Sequence, residues 1–469
     1  MTMTRRWLLR NAGRLAALGT AGRLGPFLGA GSPQQPTADS NPLIVRSSRP
    51  QDFETPVDRL TSFITSNDLF FVRSHIHTPQ VQPENWTLTV DGLVDRPLVL
   101  RLAELEALPQ VTAVITLECA GNGRAFFDPP VAGVQWRKGA VGTARWTGVR
   151  LADVLARAGV KTAAQFVLLD GADRSIGNVP DFVRTVPLAK ARHPDTLLVH
   201  AMNGVPLPQA HGFPLRALVP GWEGAYSVKW LTTIRVLDHQ HDGFFVQTGY
   251  RYPIRPVTPG ATVDPQEMEP LTGLTVKSLI VAPAEGSRVP LGRVRIAGFA
   301  WAGEADVSRV DVSVDAGRTW QSARLGAERA RCAWRSFEYQ WQVKEPGSHE
   351  VLARATDDRG RVQPPVSPWN PSGYLWNAID RIKVTAVSGQ SSSPASTPPA
   401  DGPLPATSET ALIRAKCVVC HEADLITQQR LNEAGWSREL DKMIRWGATV
   451  STEERDPMLK LLARLFPPR

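Results

Sequence analysis

Residues 388–410 read SGQSSSPASTPPADGPLPATSET, and this stretch divides the chain before any motif is considered. It holds no aromatic residue and almost nothing to bury, and its Pro, Ser and Thr favour a solvated backbone. A chain interrupted in this way cannot close around one core. Treated as a flexible coil, its 23 residues span on the order of 25 Å, so residues 411–469 form a tethered module.

Before the linker the character changes once more. Residues 40–270 mix short β-like runs (86–90, 111–117, 166–169, 230–236) with helical patterns at 102–108 and 151–158, whose apolar residues recur three and four apart. Many Pro and Gly residues lie between them, which predicts an irregular α+β domain without the βαβ regularity of a Rossmann fold. Gly121-Asn122-Gly123 lacks the GxGxxG spacing, so a dinucleotide site has little support. Residues 272–387 alternate in period two at Val294/Ile296 and Val310/Val312/Val314. Turns follow at Asp315-Ala316-Gly317 and at 357–360, a spacing that predicts an immunoglobulin-like β-sandwich.

The formal charge of +8 is uneven: residues 1–31 hold Arg5, Arg6, Arg10, Arg14 and Arg23 and no acid, and without these five it falls to +3. That surplus is too thin for a nucleic-acid partner, which needs a dense basic face. No run of about 18 apolar residues provides a stable membrane span. Arg5-Arg6-Trp7-Leu8-Leu9, followed by a weakly apolar stretch and small residues, reads as a twin-arginine signal over 1–31, which predicts export to the periplasm.

Four cysteines are too few and too unevenly placed for a disulfide framework. Cys417-Val418-Val419-Cys420-His421 is a CxxCH motif, in which both thiols can add to haem vinyl groups while the adjacent imidazole ligates the iron. Half a zinc site would need two more Cys or His ligands, and no histidine follows His421. Residues 411–469 therefore predict a small all-α cytochrome c domain with covalent haem c on Cys417 and Cys420. Its segment 435–448 resembles the distal stretch of small bacterial c-type cytochromes and offers Met443 as the second axial ligand. Met458 sits on an amphipathic terminal helix, where packing explains it better.

Cys119 lies in Leu117-Glu118-Cys119-Ala120-Gly121-Asn122-Gly123-Arg124, a thiol at a strand end beside an arginine. That pattern describes a soft metal ligand or a nucleophile, and equally a buried structural cysteine. TLECAGNGR resembles the molybdenum-binding loop of the sulfite oxidase family. Further matches follow that family's order: FFVRSH at 70–75 (with Ser74 in place of the usual Asn), MNGVPLP at 202–208, HGFPLR at 211–216, VPGWEG at 219–224, SVKWL at 227–231 and PWNPSGY at 368–374. The resemblance covers about residues 40–387. It implies a sulfite-oxidase-type molybdopterin domain followed by the sandwich as a dimerisation domain, and hence a homodimer.

Carried over position by position, the resemblance implies Cys119 as the protein ligand to molybdenum. Phe71, Val72, Arg73, Ser74, His75, Asp170, His211, Arg216, Ser227, Val228 and Lys229 would hold the pterin and its phosphate, with Asp173 close to Asp170. Arg73, Arg124, Tyr250 (or Tyr252) and an arginine from the second domain, Arg335, would form the substrate pocket. Cys332 is left as a buried bystander. The implied function is a periplasmic sulfite dehydrogenase carrying Mo-molybdopterin and haem c, with a soluble cytochrome c as acceptor. Alternatives are a dehydrogenase of sulfane or carrier-bound sulfur, another molybdenum oxo-transfer enzyme, or, from a different class, a non-catalytic haem electron carrier.

Overall fold

A computed structural model describes residues 42–388 and 404–468. The twin-arginine stretch and residues 389–403 of the linker lie outside the described residues. Among the described residues no helix is long and apolar enough to cross a membrane.

The first region is richer in strand than the mixed pattern suggested. One sheet runs Leu98–Leu100, Leu88–Gly92, Leu231–Leu237, Phe166–Gly171, Val183–Pro187. A second runs Val205–Pro206, Leu197–Met202, Val141–Arg150, Val111–Glu118, with Arg216–Leu218 added alongside Leu197–Met202. The helices are short. Leu151–Ala158 buries Leu151, Val154, Leu155 and Ala158, the face its three-and-four spacing defines, and ends at left-handed Gly159. A third, small sheet sets Ile44–Ser47 against Asp52–Glu54, and Asp52–Glu54 against Val72–Arg73.

Residues 277–387 form the expected sandwich. Lys277–Ala282, Gly292–Trp301, Arg335–Val343 and Arg324–Leu325 make one sheet. Arg288–Pro290, Asp380–Val387, Gly347–Asp357, Val307–Ser313 and Gln321–Ser322 make the other. Ile296, Phe337 and Trp341 meet Val310, Val351 and Ile382 between them, as period-two strands with one buried face require.

The C-terminal module is helical: Ala411–Cys417, Asp424–Thr427, Glu433–Arg445 and Thr452–Leu465. The last two helices start at the side-chain caps Asn432 and Ser451, and Ser451 forms a capping box with Glu454. Ile413, Trp436, Leu440, Met458 and Leu462 fill the core. Leu404, within the stretch read as linker, belongs to that core, and Arg414 donates to its carbonyl.

Candidate active site

The strand Val111–Glu118 ends at Cys119, whose amide donates to the Ala140 carbonyl at 2.9 Å. Behind the thiol, Glu118 is fixed by Lys277 (2.8 Å), Trp301 (2.7 Å) and Asn122 (2.8 Å), so the second domain braces the loop from below. At Gly123, φ is +95° and a Cβ would stand 2.7 Å from Trp376; a side chain there would open the turn.

Cys119 faces a cavity that is also lined by residues 71–75, His211, Arg216, residues 227–229 and Tyr250. The structure thus gathers most of the residues named from sequence. Burial pushes the Cys119 thiol up to about 11, while Arg73 and Arg124 work in the opposite direction. His75 and His211 are both held low, first by burial and then by the cations around them, His211 to about 3. Burial also brings Arg216 down to about 9; it donates to the carbonyls of His211 and Ser227, and its Nε has no partner. Lys229 reaches Ser74 Oγ (3.1 Å) and the Ala210 carbonyl (2.9 Å) and is lowered by burial. Serine at 74 therefore gives this lysine an acceptor.

Cationic side chains outnumber the carboxylates that line the cavity, Asp173 and Glu223. An orphaned guanidinium N–H in such a place suits a buried anion such as a pterin phosphate. Among the described residues no group of three or more His, Cys, Asp or Glu could hold a metal ion. The donor set fits a thiolate-ligated molybdopterin.

Some residues fall elsewhere. Asp170 pairs with Arg174 at 2.8 Å on the outer side of its strand, and the carboxylate that lines the cavity is Asp173. Arg335 donates to the Gly326 carbonyl within the sandwich and does not line the cavity. Tyr252 is half-buried on Arg251–Pro253 and also outside it. Cys332 is half-buried, and its carbonyl accepts from Thr116.

The second domain reaches the site through residues 370–376 instead. The Ser372 carbonyl accepts from Arg124 Nη2 (3.3 Å), Leu375 donates to the Ala120 carbonyl, and the Tyr374 ring stacks on Tyr250 at 5.4 Å and 5°. Arg124 lies 5.2 Å from the centre of the Tyr374 ring and donates to the Val134 carbonyl at 3.0 Å. Tyr250, at φ +56°, meets His75 Nε2 at 2.5 Å, and Phe182 stacks on His75 at 3.6 Å. Beneath them Arg184 is 2% exposed, lies 4.1 Å from the Tyr226 ring and 4.8 Å from the Tyr250 ring, and pairs with Glu223. Tyr374, Arg184, Glu223 and Phe182 were not singled out from sequence. Tyr374 left a trace there, an aromatic in a Pro/Gly loop that continues no strand alternation.

In the C-terminal module Cys417, Cys420 and His421 lie together at the end of the first helix, with Cys420 exposed. The Nδ1 of His421 is 3.0 Å from the Glu422 carbonyl, an arrangement that leaves Nε2 for a metal. The thioether set against the thiol pair is that of fully buried Met458, 3.8 Å from Cys417 Sγ, while Met443 is half-buried on Glu433–Arg445. The donor set of two thiols and one oriented imidazole fits covalent haem.

Comparison with known proteins extends these observations. Residues 75–245 match the family model for the oxidoreductase molybdopterin binding domain, and residues 269–387 match that for the Mo-co oxidoreductase dimerisation domain. The chain is 37% identical over 391 residues to the mitochondrial sulfite oxidase of Rattus norvegicus, covering 80% of this chain and 71% of that one. It is 38% identical over 382 residues to the sulfite oxidase of Gallus gallus, covering 77% and 83%. Among solved structures it is similar to the sulfane dehydrogenase SoxCD from Paracoccus pantotrophus, with a TM-score of 0.63, 26% identity and coverage of 76% and 92%.

Proposed function

Because the chain belongs to the molybdopterin-dependent sulfite oxidase family, we propose that it is a periplasmic sulfite dehydrogenase that passes electrons through a covalent c-type haem to a soluble cytochrome c. Molybdenum-dependent oxidoreductase chemistry goes with the family; the haem, the acceptor, the compartment and a homodimer built on the sandwich belong to this reading. The observation that carries it is the single thiol Cys119 facing a cation-lined cavity, with Arg73 and Arg124 both acting on it.

Molybdopterin, when bound, would supply oxo-transfer and two-electron redox chemistry. The chain's own residues do the rest. Arg216, Lys229 and His211 would seat the anionic cofactor, and the Cys119 thiolate would ligate its metal. Arg73 lines the cavity and offers its guanidinium to a small oxyanion, while Arg124, which does not line it and donates both Nη groups to the Val134 and Ser372 carbonyls, adds positive charge beside the thiol. Asp52 holds Arg73 at 3.0 Å and keeps it charged against burial, so the fork is oriented before substrate arrives. His75 and Tyr250 share one short hydrogen bond at the cavity wall, and burial favours the neutral form of each. Water supplies the oxygen: sulfite and water give sulfate, two protons and two electrons. In the C-terminal module His421 and Met443 would hold the haem iron.

Elemental analysis for Mo and Fe, with a reduced-minus-oxidised haem spectrum on adding sulfite, tests this reading. Both metals present and a haem reduced by sulfite are expected; a molybdenum-loaded protein inert to sulfite would sink it. One observation favours sulfur borne on a carrier as a second reading: residues 370–376 bring Tyr374, not an arginine, to the site. Turnover of a persulfide-bearing carrier in place of sulfite would distinguish the two.

A further inference from the structure

Besides the edge-on contact of Phe244 with Trp446 (5.3 Å between ring centres), two segments of the catalytic domain hydrogen-bond to the C-terminal module, and they hold the two arginines that act on Cys119. The first is the turn at 47–52. On its outer side, Arg49 donates to the Val418 carbonyl (3.1 Å) and pairs with Glu422 (3.2 Å). The Glu422 amide returns a bond to the Arg49 carbonyl, and Gln428 donates to the Arg46 carbonyl. On its inner side, Asp52 accepts from Arg73 at 3.0 Å, and Ser74 donates to the Gln51 carbonyl at 3.0 Å. The second segment is the loop at 131–135. Gln428 accepts from the Gln135 amide (2.8 Å), and Gln429 both accepts from the Gly133 amide (3.2 Å) and donates to its carbonyl (3.0 Å). Between those two residues, the Val134 carbonyl holds Arg124.

Gln428 and Gln429 are 8% and 6% exposed, so their amides are desolvated against this backbone, where Gln135 Nε2 shares the Gly133 carbonyl at 2.8 Å. Arg49 and Glu422 are half exposed and belong to the rim. Leu425 packs on the cluster that contains Phe70 and Phe71, and Ala132 packs on the module's own core. Buried amides ringed by apolar contact make a fixed seat; a transient encounter surface is more polar and more exposed.

We propose that the C-terminal module works from this seat and does not swing on its tether, and that the turn at 47–52 is the bridge between the two redox centres. The proposal rests on the haem reading given above. From Arg73 the route crosses one ion pair to Asp52, follows the backbone to Arg49, and crosses one hydrogen bond to Val418, the residue after Cys417. Each sulfite oxidised releases two electrons. They cross singly, each reducing one ferric haem to ferrous, and a soluble one-electron redox protein removes each before the next arrives.

The test inserts a protease site within residues 389–403 of the full-length holoenzyme and cuts it. The cut module is expected to co-elute with the catalytic domain on gel filtration, with sulfite-driven haem reduction unchanged and independent of protein concentration. A module held by its tether alone would lose an effective concentration on the order of millimolar, and at micromolar protein its haem reduction would slow by roughly a thousandfold. Separation on the column, or slowing in proportion to dilution, overturns the proposal. The double variant Gln428→Ala/Gln429→Ala adds a second measurement: slower haem reduction, with sulfite oxidation by a direct small-molecule acceptor unchanged. Equal rates at the haem would count against the seat. Co-elution does not depend on haem, and a haemochrome assay of the uncut protein asks separately whether haem is attached, so the failure of either claim is distinguishable.

Discussion

Cys119 and Cys417 are both pushed up to about 11 by burial, yet their surroundings differ in what opposes that push. Arg73 and Arg124 act on Cys119, in a cavity with more cations than acids. Cys417 meets a thioether and apolar neighbours, and its companions Val419 and Cys420 are exposed. A thiolate meant to hold a metal needs positive charge nearby. On the proposed haem reading, a thiol that forms a thioether bond needs none, and the exposed Val419 and Cys420 mark the edge from which electrons would leave. The two cysteine sites are thus complementary: one thiol is buried beside cations, the other lies beside an exposed edge.

The sharpest way to break this comparison is to remove one thiol and watch the other site. Cys119→Ser is expected to abolish sulfite turnover and leave the haem spectrum intact. Sulfite-driven haem reduction persisting in the variant would show that the two sites had been assigned to the wrong chemistry.

Next in size is a pair of methionine variants. Met458 is fully buried in the module's core beside Cys417, so Met458→Ala should cost about 2–5 kcal/mol of module stability. Met443 is half-buried, and the proposed axial role gives Met443→Ala a different signature. The haem reduction potential should fall, since a thioether ligand raises it, with little loss in thermal unfolding. Potentiometry combined with thermal melts separates them; a potential that shifts only in the Met458 variant would move the axial role to that residue.

These sites were unequally legible, for physical reasons. CxxCH and the cysteine loop are local strings, and residues 111–117 and 151–158 declare themselves as a β-like run and through helical spacing. Period two also held an answer left unused: Val167 and Leu169 face the core, so Asp170 must point outward, toward Arg174. Asp173, past the strand's end, is free to turn into the cavity. Arg335 and Tyr374 were beyond such reasoning. Which part of the sandwich touches Cys119 depends on how two domains pack, and Ser372, Tyr374 and Trp376 arrive there through a loop with no periodicity. The seat of the C-terminal module escaped for a related cause: Gln428 and Gln429 look like surface residues until backbone from the region of 133–135 covers them.

The cation-rich side of the comparison also predicts a pH dependence. His211 titrates near 3 in the folded protein, through burial and then Lys229 and Arg216, against about 6.5 when unfolded. The unfolded chain therefore binds more protons between those values, and stability rises with pH across that window, by up to about 1.4 kcal/mol per pH unit. Glu223, raised to about 7 by burial, acts the other way: the folded state holds its proton longer, so stability falls as pH climbs from about 4.5 toward 7. In cofactor-free protein, His211→Gln should flatten the acid side of a denaturation-versus-pH curve and Glu223→Gln should steepen it. Parallel curves would mean that the cavity is wetter than its packing implies.

The smallest effect concerns what the second domain contributes to the site. Tyr374 meets Tyr250 and Arg124 through the face of its ring, and stacked aromatic pairs contribute about 0.5–1.5 kcal/mol beyond the area they bury. Tyr374→Phe keeps the ring and should change kcat/KM little. Tyr374→Ala removes the surface that steadies both the tyrosine and the guanidinium, and a loss of about 1 kcal/mol corresponds to roughly fivefold in kcat/KM. If the charge of Arg124 helps hold the oxyanion, as proposed, that loss should appear in KM more than in kcat. A Phe variant as impaired as the Ala variant would assign the hydroxyl, and not the ring, to the substrate. The sandwich would then be a direct participant in the pocket as well as its support.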